Sequence, residues 1–162
     1  MVGMNHNPAT ARLYELLSTV VDPEIPVLTL QDLGVLRDVS ITDGEVKVSI
    51  TPTYAGCPAM ETMRSDIEKT LAAAGYEQVT VEQVLSPAWS TDWMTQSGRE
   101  KLRKYGIAPP VNTACGRPTS QIECPQCNST GVKLISEFGS TACKALYQCQ
   151  ECREPFDYFK CL

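Results

Sequence analysis

The 162-residue chain carries 14 basic and 19 acidic residues, a net charge of −5, and 43% of its residues are hydrophobic. This composition supports a buried core and excludes a protein that holds nucleic acid through a basic surface, so we expect no nucleic-acid partner. The sequence contains neither a signal-peptide pattern nor an apolar run of about 20 residues, the length of a membrane span. We therefore expect a cytoplasmic protein without a membrane contact.

The chain begins with a pattern typical of a small α-β-β-α-β domain. Asn7 and Pro8 predict the start of a helix that ends before Asp22-Pro23, because proline disfavours the helical conformation in the residue before it. Two strands over 35–41 and 46–50, joined by a turn at Asp43-Gly44, predict a hairpin, with Arg37 as a polar exception on the apolar face of the first strand.

A second helix and a third strand complete this domain. Proline opens the helix at Pro58 and Gly75 ends it, and its apolar residues recur at helical spacing. A strand over 79–85 follows and is expected to pair in parallel with the strand before the helix. Ser97 and Glu100 have the spacing of a capping box, which predicts one more short helix that ends at Gly106.

The cysteines separate a second module from the first. Residues 1–110 carry the whole net charge of −5, whereas 111–162 are neutral and contain seven of the eight cysteines. We predict a first domain over 1–110, a linker over 111–120 and a β-rich, zinc-ribbon-like module over 121–162, with strands near 132–138, 145–149 and 156–159. The fold class is then α/β in the sense of α+β. So small a module needs a metal to stabilise it.

Two Cys-x-x-Cys pairs in this module predict a metal site. Cys124 and Cys127, with Cys149 and Cys152, supply four thiolates, a set that zinc prefers. Iron or an iron–sulfur cluster fits the same ligands, and cysteines without a metal are the remaining alternative.

Three other cysteines lie near these pairs. Cys143 and Cys161 flank the second pair and are possible additional ligands, although buried structural thiols are the more common use. Cys115 lies in the linker, and its role is open.

Cys57 is a second candidate site. It follows a strand and stands at the expected N-cap of the second helix, where the helix dipole would lower the pKa of its thiol. A thiolate there can attack an electrophile or bind a soft metal; the alternative is a small buried cysteine under a tight turn. Asp22 and Glu24 form a rigid acidic turn that could lie near Cys57, or else a solvated helix terminus. The chain's one histidine, His6, is far from Cys57 in the sequence, so no histidine is placed to act as its general base, which argues against hydrolase chemistry.

Segments along the whole chain resemble one family. Three motifs are similar to the D subunits of phenylacetate degradation, the PaaD family: Asp22-Pro-Glu-Ile-Pro26, Thr51-Pro-Thr-Tyr-Ala-Gly-Cys-Pro58, and the segment from Pro87-Ala-Trp89 to Met94. The segments 32–34, 105–110, 137–144 and 154–161 are similar to the same family. The first domain also resembles SufT-like iron–sulfur assembly factors. In those proteins the cysteine that matches Cys57 handles the cluster, and the Asp-Pro-Glu turn that matches Asp22 and Glu24 lies beside it.

The resemblance implies an accessory protein rather than an enzyme. PaaD proteins are encoded with a multicomponent phenylacetyl-CoA epoxidase, which has a di-iron oxygenase and a [2Fe–2S] reductase. We expect a maturation factor whose partners are the oxygenase, the reductase or both, with a transient iron–sulfur cluster at Cys57 shared across a homodimer and a zinc ribbon that docks the client. Two alternatives remain: a resident non-catalytic component that supports assembly or electron transfer, and an enzyme that uses Cys57 as its nucleophile.

Overall fold

The computed structural model describes residues 7–111 and 121–160, and these form two compact units. The first unit is Met1–Trp89 and the second is Ser90–Leu162. The linker predicted over 111–120 lies almost wholly outside the described residues, and the domain limits of 1–110 and 121–162 remain a prediction. Within the described ranges, no helix combines the length and the apolar character that crossing a membrane requires.

The first unit is a three-stranded sheet with helices. Its helices are α1 (Pro8–Leu17), α2 (Leu30–Leu33) and α3 (Ala59–Ala73), and its strands are β1 (Leu36–Thr42), β2 (Glu45–Ile50) and β3 (Gln78–Gln83). The strand order is β1-β2-β3; β1 runs antiparallel to β2, and β3 runs parallel to it. The predicted hairpin and the predicted parallel pair are both confirmed.

Helix α1 starts where the sequence indicates and stops earlier. Asn7 caps it by accepting a 3.1 Å hydrogen bond from the backbone N–H of Ala9. The helix ends at Leu17 rather than at Asp22, so that prediction is wrong. The hydroxyl groups of Ser18 and Thr19 donate to carbonyl oxygens in the last turn, which satisfies acceptors that a longer helix would have used.

A β-bulge explains the polar exception in β1. The register with β2 shifts between Leu36 and Asp38, so Arg37 is the extra residue. Leu36 and Val39 are both buried although they are three positions apart. A bulge moves the following residues to the other face of a strand, and the simple alternation predicted for this strand therefore fails at Arg37.

Helix α3 has the predicted apolar face, and β3 is shorter than predicted. The helix contacts α1 and β3, and the residues of its buried face are at most 7% exposed: Ala59, Met60, Met63, Ile67 and Leu71. Burial of each large side chain contributes about 1.5–3 kcal/mol. Gly75 follows the C-cap with a φ of 95°. Leu85 lies beyond the end of β3 and is 65% exposed, so its assignment to the strand was wrong.

The short helix α2 was not predicted. Thr29 and Asp32 form a capping box around it, in which the Asp32 side chain accepts from the Thr29 backbone and the Thr29 hydroxyl accepts from the Asp32 backbone. Gly34 ends the helix with a φ of 71°. Trp89 is buried, and its Nε1 donates a 2.9 Å hydrogen bond to the carbonyl oxygen of Leu33. This bond fixes the chain after β3 against α2.

The second unit combines one helix with a four-stranded sheet. A 3₁₀ turn (Thr91–Trp93) precedes α4 (Gln96–Tyr105), and the strands are β4 (Ile107–Ala108), β5 (Val132–Ser136), β6 (Lys144–Cys149) and β7 (Pro155–Phe159). The strand order is β4-β7-β6-β5. Strand β6 is antiparallel to both neighbours, and β4 is parallel to β7. The three predicted strands are present, while the two-residue β4 was missed. The mixed α+β class is confirmed.

Helix α4 is capped by a residue other than the predicted one. The hydroxyl oxygen of Thr95, not that of Ser97, accepts a 2.9 Å hydrogen bond from the backbone N–H of Gly98. The predicted Ser97–Glu100 capping box is therefore wrong. The predicted end at Gly106 is right, since this residue is the C-cap and has a φ of 94°.

Candidate functional site

The second unit brings the four predicted cysteine ligands together. The sulfurs of Cys124, Cys127, Cys149 and Cys152 all lie within 4.8 Å of one another. The sulfurs of Cys124 and Cys152 are 3.7 Å apart, and those of Cys127 and Cys149 are 3.5 Å apart. Tetrahedral zinc with Zn–S bonds of about 2.3 Å separates its sulfurs by about 3.8 Å. The geometry of the four sulfurs therefore fits one tetrahedral metal ion.

Each cysteine pair lies in a turn of the same construction. We call residues 124–129 the first knuckle and residues 149–154 the second knuckle. The N–H of Cys124 donates to the carbonyl oxygen of Ser129 at 2.9 Å, and the N–H of Cys149 donates to that of Glu154 at 3.0 Å.

The two knuckles also match in backbone conformation and burial. The residue after the second cysteine has a positive φ in both, 64° at Asn128 and 66° at Arg153. In both, the first cysteine is buried and the second is exposed. The two halves of the site are therefore near repeats of each other.

Backbone amides polarise the sulfurs of the second knuckle. The N–H of Cys152 donates to the sulfur of Cys149 and lowers the pKa of Cys149 to about 6. The N–H of Glu154 donates to Cys152, yet desolvation and the neighbouring sulfurs outweigh it and raise the pKa of Cys152 to about 12. Four thiolates this close repel one another unless a cation lies between them. The four-cysteine cluster supports metal binding on this ground as well as on its geometry.

Among the described residues, the other cysteine of the second unit stands apart from this cluster. Cys143 is buried, its Sγ lies 2.9 Å from Oγ1 of Thr141, and it is not in the set of mutually close sulfurs. Cys115 and Cys161 lie outside the described residues, as does His6. The prediction of additional ligands stays a prediction.

Cys57 lies between β2 and α3 at the start of the helix. Its N–H donates to the carbonyl oxygen of Tyr54 at 3.3 Å, and its own carbonyl oxygen accepts from the N–H of Met60 at 3.4 Å. Pro58, not Cys57, occupies the N-cap position. The side chain of Cys57 is half-buried.

The environment of Cys57 favours the protonated thiol. Burial raises the pKa of Cys57, the N–H of Ala59 acts against this by donating to the sulfur, and the negative charge of Glu24 raises the pKa further. The Tyr54 side chain lowers it by a hydrogen bond, and Asp22 raises it. The expectation of a lowered pKa was therefore wrong: desolvation and two carboxylates outweigh the helix terminus. A protonated thiol is a weak nucleophile, which argues against covalent catalysis by Cys57.

The acidic turn is rigid and lies beside this thiol. Oδ1 of Asp22, which is buried, accepts hydrogen bonds from the N–H groups of Glu24 at 2.6 Å and Ile25 at 3.1 Å. The N–H of Asp22 donates to the carbonyl oxygen of Leu28 at 2.9 Å, which closes the loop. The structure thus brings Cys57, Asp22 and Glu24 into one neighbourhood. It adds Tyr54, which nothing in the sequence pattern indicated as a partner of the thiol.

Two family models match separate parts of the chain. Residues 10–83 match the model described as iron-sulfur cluster assembly protein. Residues 108–160 match the model described as PaaD zinc beta ribbon domain. The first match contains Cys57 and the acidic turn, and the second contains all four clustered cysteines.

Two curated relatives and one solved structure resemble the chain. It is 50% identical over 156 residues to the putative D subunit of 1,2-phenylacetyl-CoA epoxidase from Escherichia coli (strain K12), covering 96% of this chain and 94% of that one. It is 34% identical over 92 residues to "Fe-S protein maturation auxiliary factor" of Porphyromonas gingivalis (strain ATCC BAA-308 / W83), covering 56% and 87%. The crystal structure of a domain of unknown function, DUF59, from Bacillus anthracis matches 57% of this chain and 90% of its own, with a TM-score of 0.54 and 28% identity.

Proposed function

The chain belongs to the PaaD family, the D subunits of 1,2-phenylacetyl-CoA epoxidase, and from this premise we propose that it is a non-catalytic accessory protein that matures iron or iron–sulfur centres of that epoxidase. The observation that carries the proposal is the grouping of Cys57 with Asp22 and Glu24 in a unit that matches iron–sulfur cluster assembly proteins. A similar relative is named as an Fe-S protein maturation auxiliary factor.

In this proposal Cys57 receives and releases the metal cargo, which is an iron ion or an iron–sulfur cluster. The thiol is protonated until a metal displaces the proton, because burial and the carboxylates of Glu24 and Asp22 raise its pKa. One sulfur is too few to retain a cluster, which suits transient carriage. Cys57 of a second copy in a homodimer supplies another sulfur while the cargo is held.

The four-cysteine site holds zinc in this proposal and has a structural role. Zinc prefers a closed set of four thiolates and has no redox chemistry. A site built from Cys124, Cys127, Cys149 and Cys152 stabilises the small second unit, which then docks the client. The clients are the oxygenase component, the [2Fe–2S] reductase component or both, and the protein acts in the cytoplasm.

The test compares epoxidase made in cells that carry the wild-type chain, the Cys57→Ala variant or neither. The components are purified anaerobically, and their iron content and [2Fe–2S] absorbance are measured. We expect metal-poor components from cells with Cys57→Ala and from cells without the chain. Cells with Cys143→Ala, which removes a buried thiol apart from the four clustered sulfurs, should yield normal components. Fully loaded components from cells with Cys57→Ala would refute the cargo role.

A second candidate is a resident component of the epoxidase. The similar relative is named as a subunit of that enzyme, and its near full-length match favours this role. Purified protein is added to components that are already mature, and the epoxidation rate is measured. A rate that rises and saturates at a fixed ratio supports the resident role, whereas an unchanged rate supports maturation.

A further inference from the structure

The two knuckles of the metal site are anchored differently. The second knuckle connects β6 to β7, which are paired along their lengths, so the sheet fixes both of its ends. The first knuckle belongs to no helix or strand, and the next strand begins only at Val132. A loop without such anchors needs a constraint from elsewhere to hold its sulfurs at metal distance.

Arg103 on helix α4 supplies contacts on both sides of the first knuckle. Its Nη2 donates a 2.9 Å hydrogen bond to Oε2 of Glu123, the residue before Cys124, and forms an ion pair with that carboxylate. The same nitrogen donates to Oδ1 of Asn128, the residue after Cys127. One guanidinium group thus bridges the two flanks of the Cys-x-x-Cys turn.

The end of α4 also lies close to the knuckle. A Cβ added to Gly106, the C-cap of α4, would lie 3.8 Å from Nε2 of Gln126, which stands between the two cysteines. Strand β4 follows at once and pairs with β7. The helix is therefore held against the same sheet that carries the second knuckle.

Asn128 occupies a sensitive position in this turn. Its φ of 64° is in the left-handed region, which most residues disfavour by roughly 1–2 kcal/mol. Its N–H donates to the carbonyl oxygen of Cys124 at 2.9 Å, and the N–H of the next residue, Ser129, donates to the sulfur of Cys127. A change in the backbone conformation of Asn128 would therefore disturb two hydrogen bonds of the turn: the one to the Cys124 carbonyl oxygen and the one to the Cys127 sulfur.

We propose that Arg103 is a positioning residue of the four-cysteine site, holding the first knuckle closed so that Cys124 and Cys127 keep the metal. This inference rests on the metal binding in the proposed function. Arg103 lies outside the two matched family segments, 10–83 and 108–160. The second knuckle is held between the paired strands β6 and β7, so the first knuckle is the half of the site that opens when the metal leaves, and Arg103 slows that opening.

The test measures zinc release from the full-length protein, loaded with Zn²⁺, to an excess of a coloured chelator. We expect Arg103→Ala to release zinc about 10-fold faster than wild type, which is the lower end of the roughly 10- to 100-fold loss of metal affinity caused by removing contacts around metal ligands. Arg103→Lys should fall between, because it retains the charge without the fixed fork of donors. Lys104→Ala, an exposed neighbour on the same helix, is the matched control and should behave as wild type.

A second variant removes the acceptor instead of the donor. Asn128→Gly deletes the side chain that Arg103 holds, and glycine adopts a positive φ without strain. We expect faster zinc release again. The fold increase in release rate for the double variant should be less than the product of the fold increases for the two single variants, because both substitutions break the same contact. Independent, multiplying effects would refute a shared contact.

Alkylation of the zinc-loaded variants separates positioning from general loosening. In Arg103→Ala we expect Cys124 and Cys127 to be labelled before Cys149 and Cys152, as followed by mass spectrometry of peptides. Equal labelling of all four cysteines, or wild-type release from Arg103→Ala, overturns the positioning role. If the wild-type chain itself retains no zinc or other metal, the proposed metal site fails, which is a separate outcome.

Discussion

Asp22 has two separable roles, one in the backbone of the acidic turn and one in the charge around Cys57, and two substitutions distinguish them. Asp22→Ala removes the acceptor of the Glu24 and Ile25 N–H groups. Asp22→Asn keeps an oxygen at that position and removes only the negative charge. The two variants therefore differ in hydrogen bonding while sharing the loss of charge.

The expected loss of stability follows from these bonds. A hydrogen bond to a charged group contributes about 1.5–3 kcal/mol, and two bonds that share one oxygen contribute less than twice that amount. We expect Asp22→Ala to lower the free energy of unfolding of the first unit by about 2–4 kcal/mol, and Asp22→Asn by about 1 kcal/mol or less. Both should lower the pKa of Cys57, because removing a carboxylate charge favours the thiolate.

The assay is urea unfolding followed by the fluorescence of Trp89, which is buried in the first unit, in a Trp93→Phe background. The pKa of Cys57 is followed in the same variants by the pH dependence of its alkylation. Equal destabilisation by Asp22→Ala and Asp22→Asn would show that charge, not hydrogen bonding, holds the turn. An unchanged or raised pKa of Cys57 in both would show that the carboxylate does not act on the thiol.

Glu24→Gln should make Cys57 react faster with iodoacetamide near neutral pH, because the carboxylate raises the thiol pKa; a slower reaction would contradict this. Since folding raises the pKa of Cys57, the first unit should lose stability as pH rises from the ordinary thiol value through the raised one, and Cys57→Ala should lessen that loss in urea titrations. Cys127→Ser should lower the metal content from about one ion per chain and expose residues 121–160 to protease; an intact, metal-free second unit after chelation would oppose this. Trp89→Phe should lower the free energy of unfolding by about 1–3 kcal/mol, because it leaves the buried Leu33 carbonyl oxygen without the indole donor. Urea unfolding followed by circular dichroism measures this loss.

Local sequence rules predicted the longer regular elements and failed at several of their ends. The apolar spacing of α3 and the Asp43-Gly44 hairpin depend on neighbours within a few residues, so one sequence suffices to recognise them. The end of α1 at Leu17 depended on hydroxyl groups that compete for helix carbonyls, and the break in β1 at Arg37 depended on the register with β2. Strand β4 has two residues and forms only because β7 lies beside it.

The four-cysteine site was determined by the sequence itself, because the ligands come in short turns whose spacing sets the sulfur positions. The state of Cys57 was decided by the tertiary structure. Its helix position alone favours a thiolate, whereas burial and the carboxylates of Asp22 and Glu24, more than 30 residues away in the chain, raise its pKa. The contact of Arg103 with Glu123 and Asn128 is equally absent from any local pattern. Charge interactions and side-chain hydrogen bonds of this kind join residues that are distant in sequence, and only folding brings those residues close enough to interact.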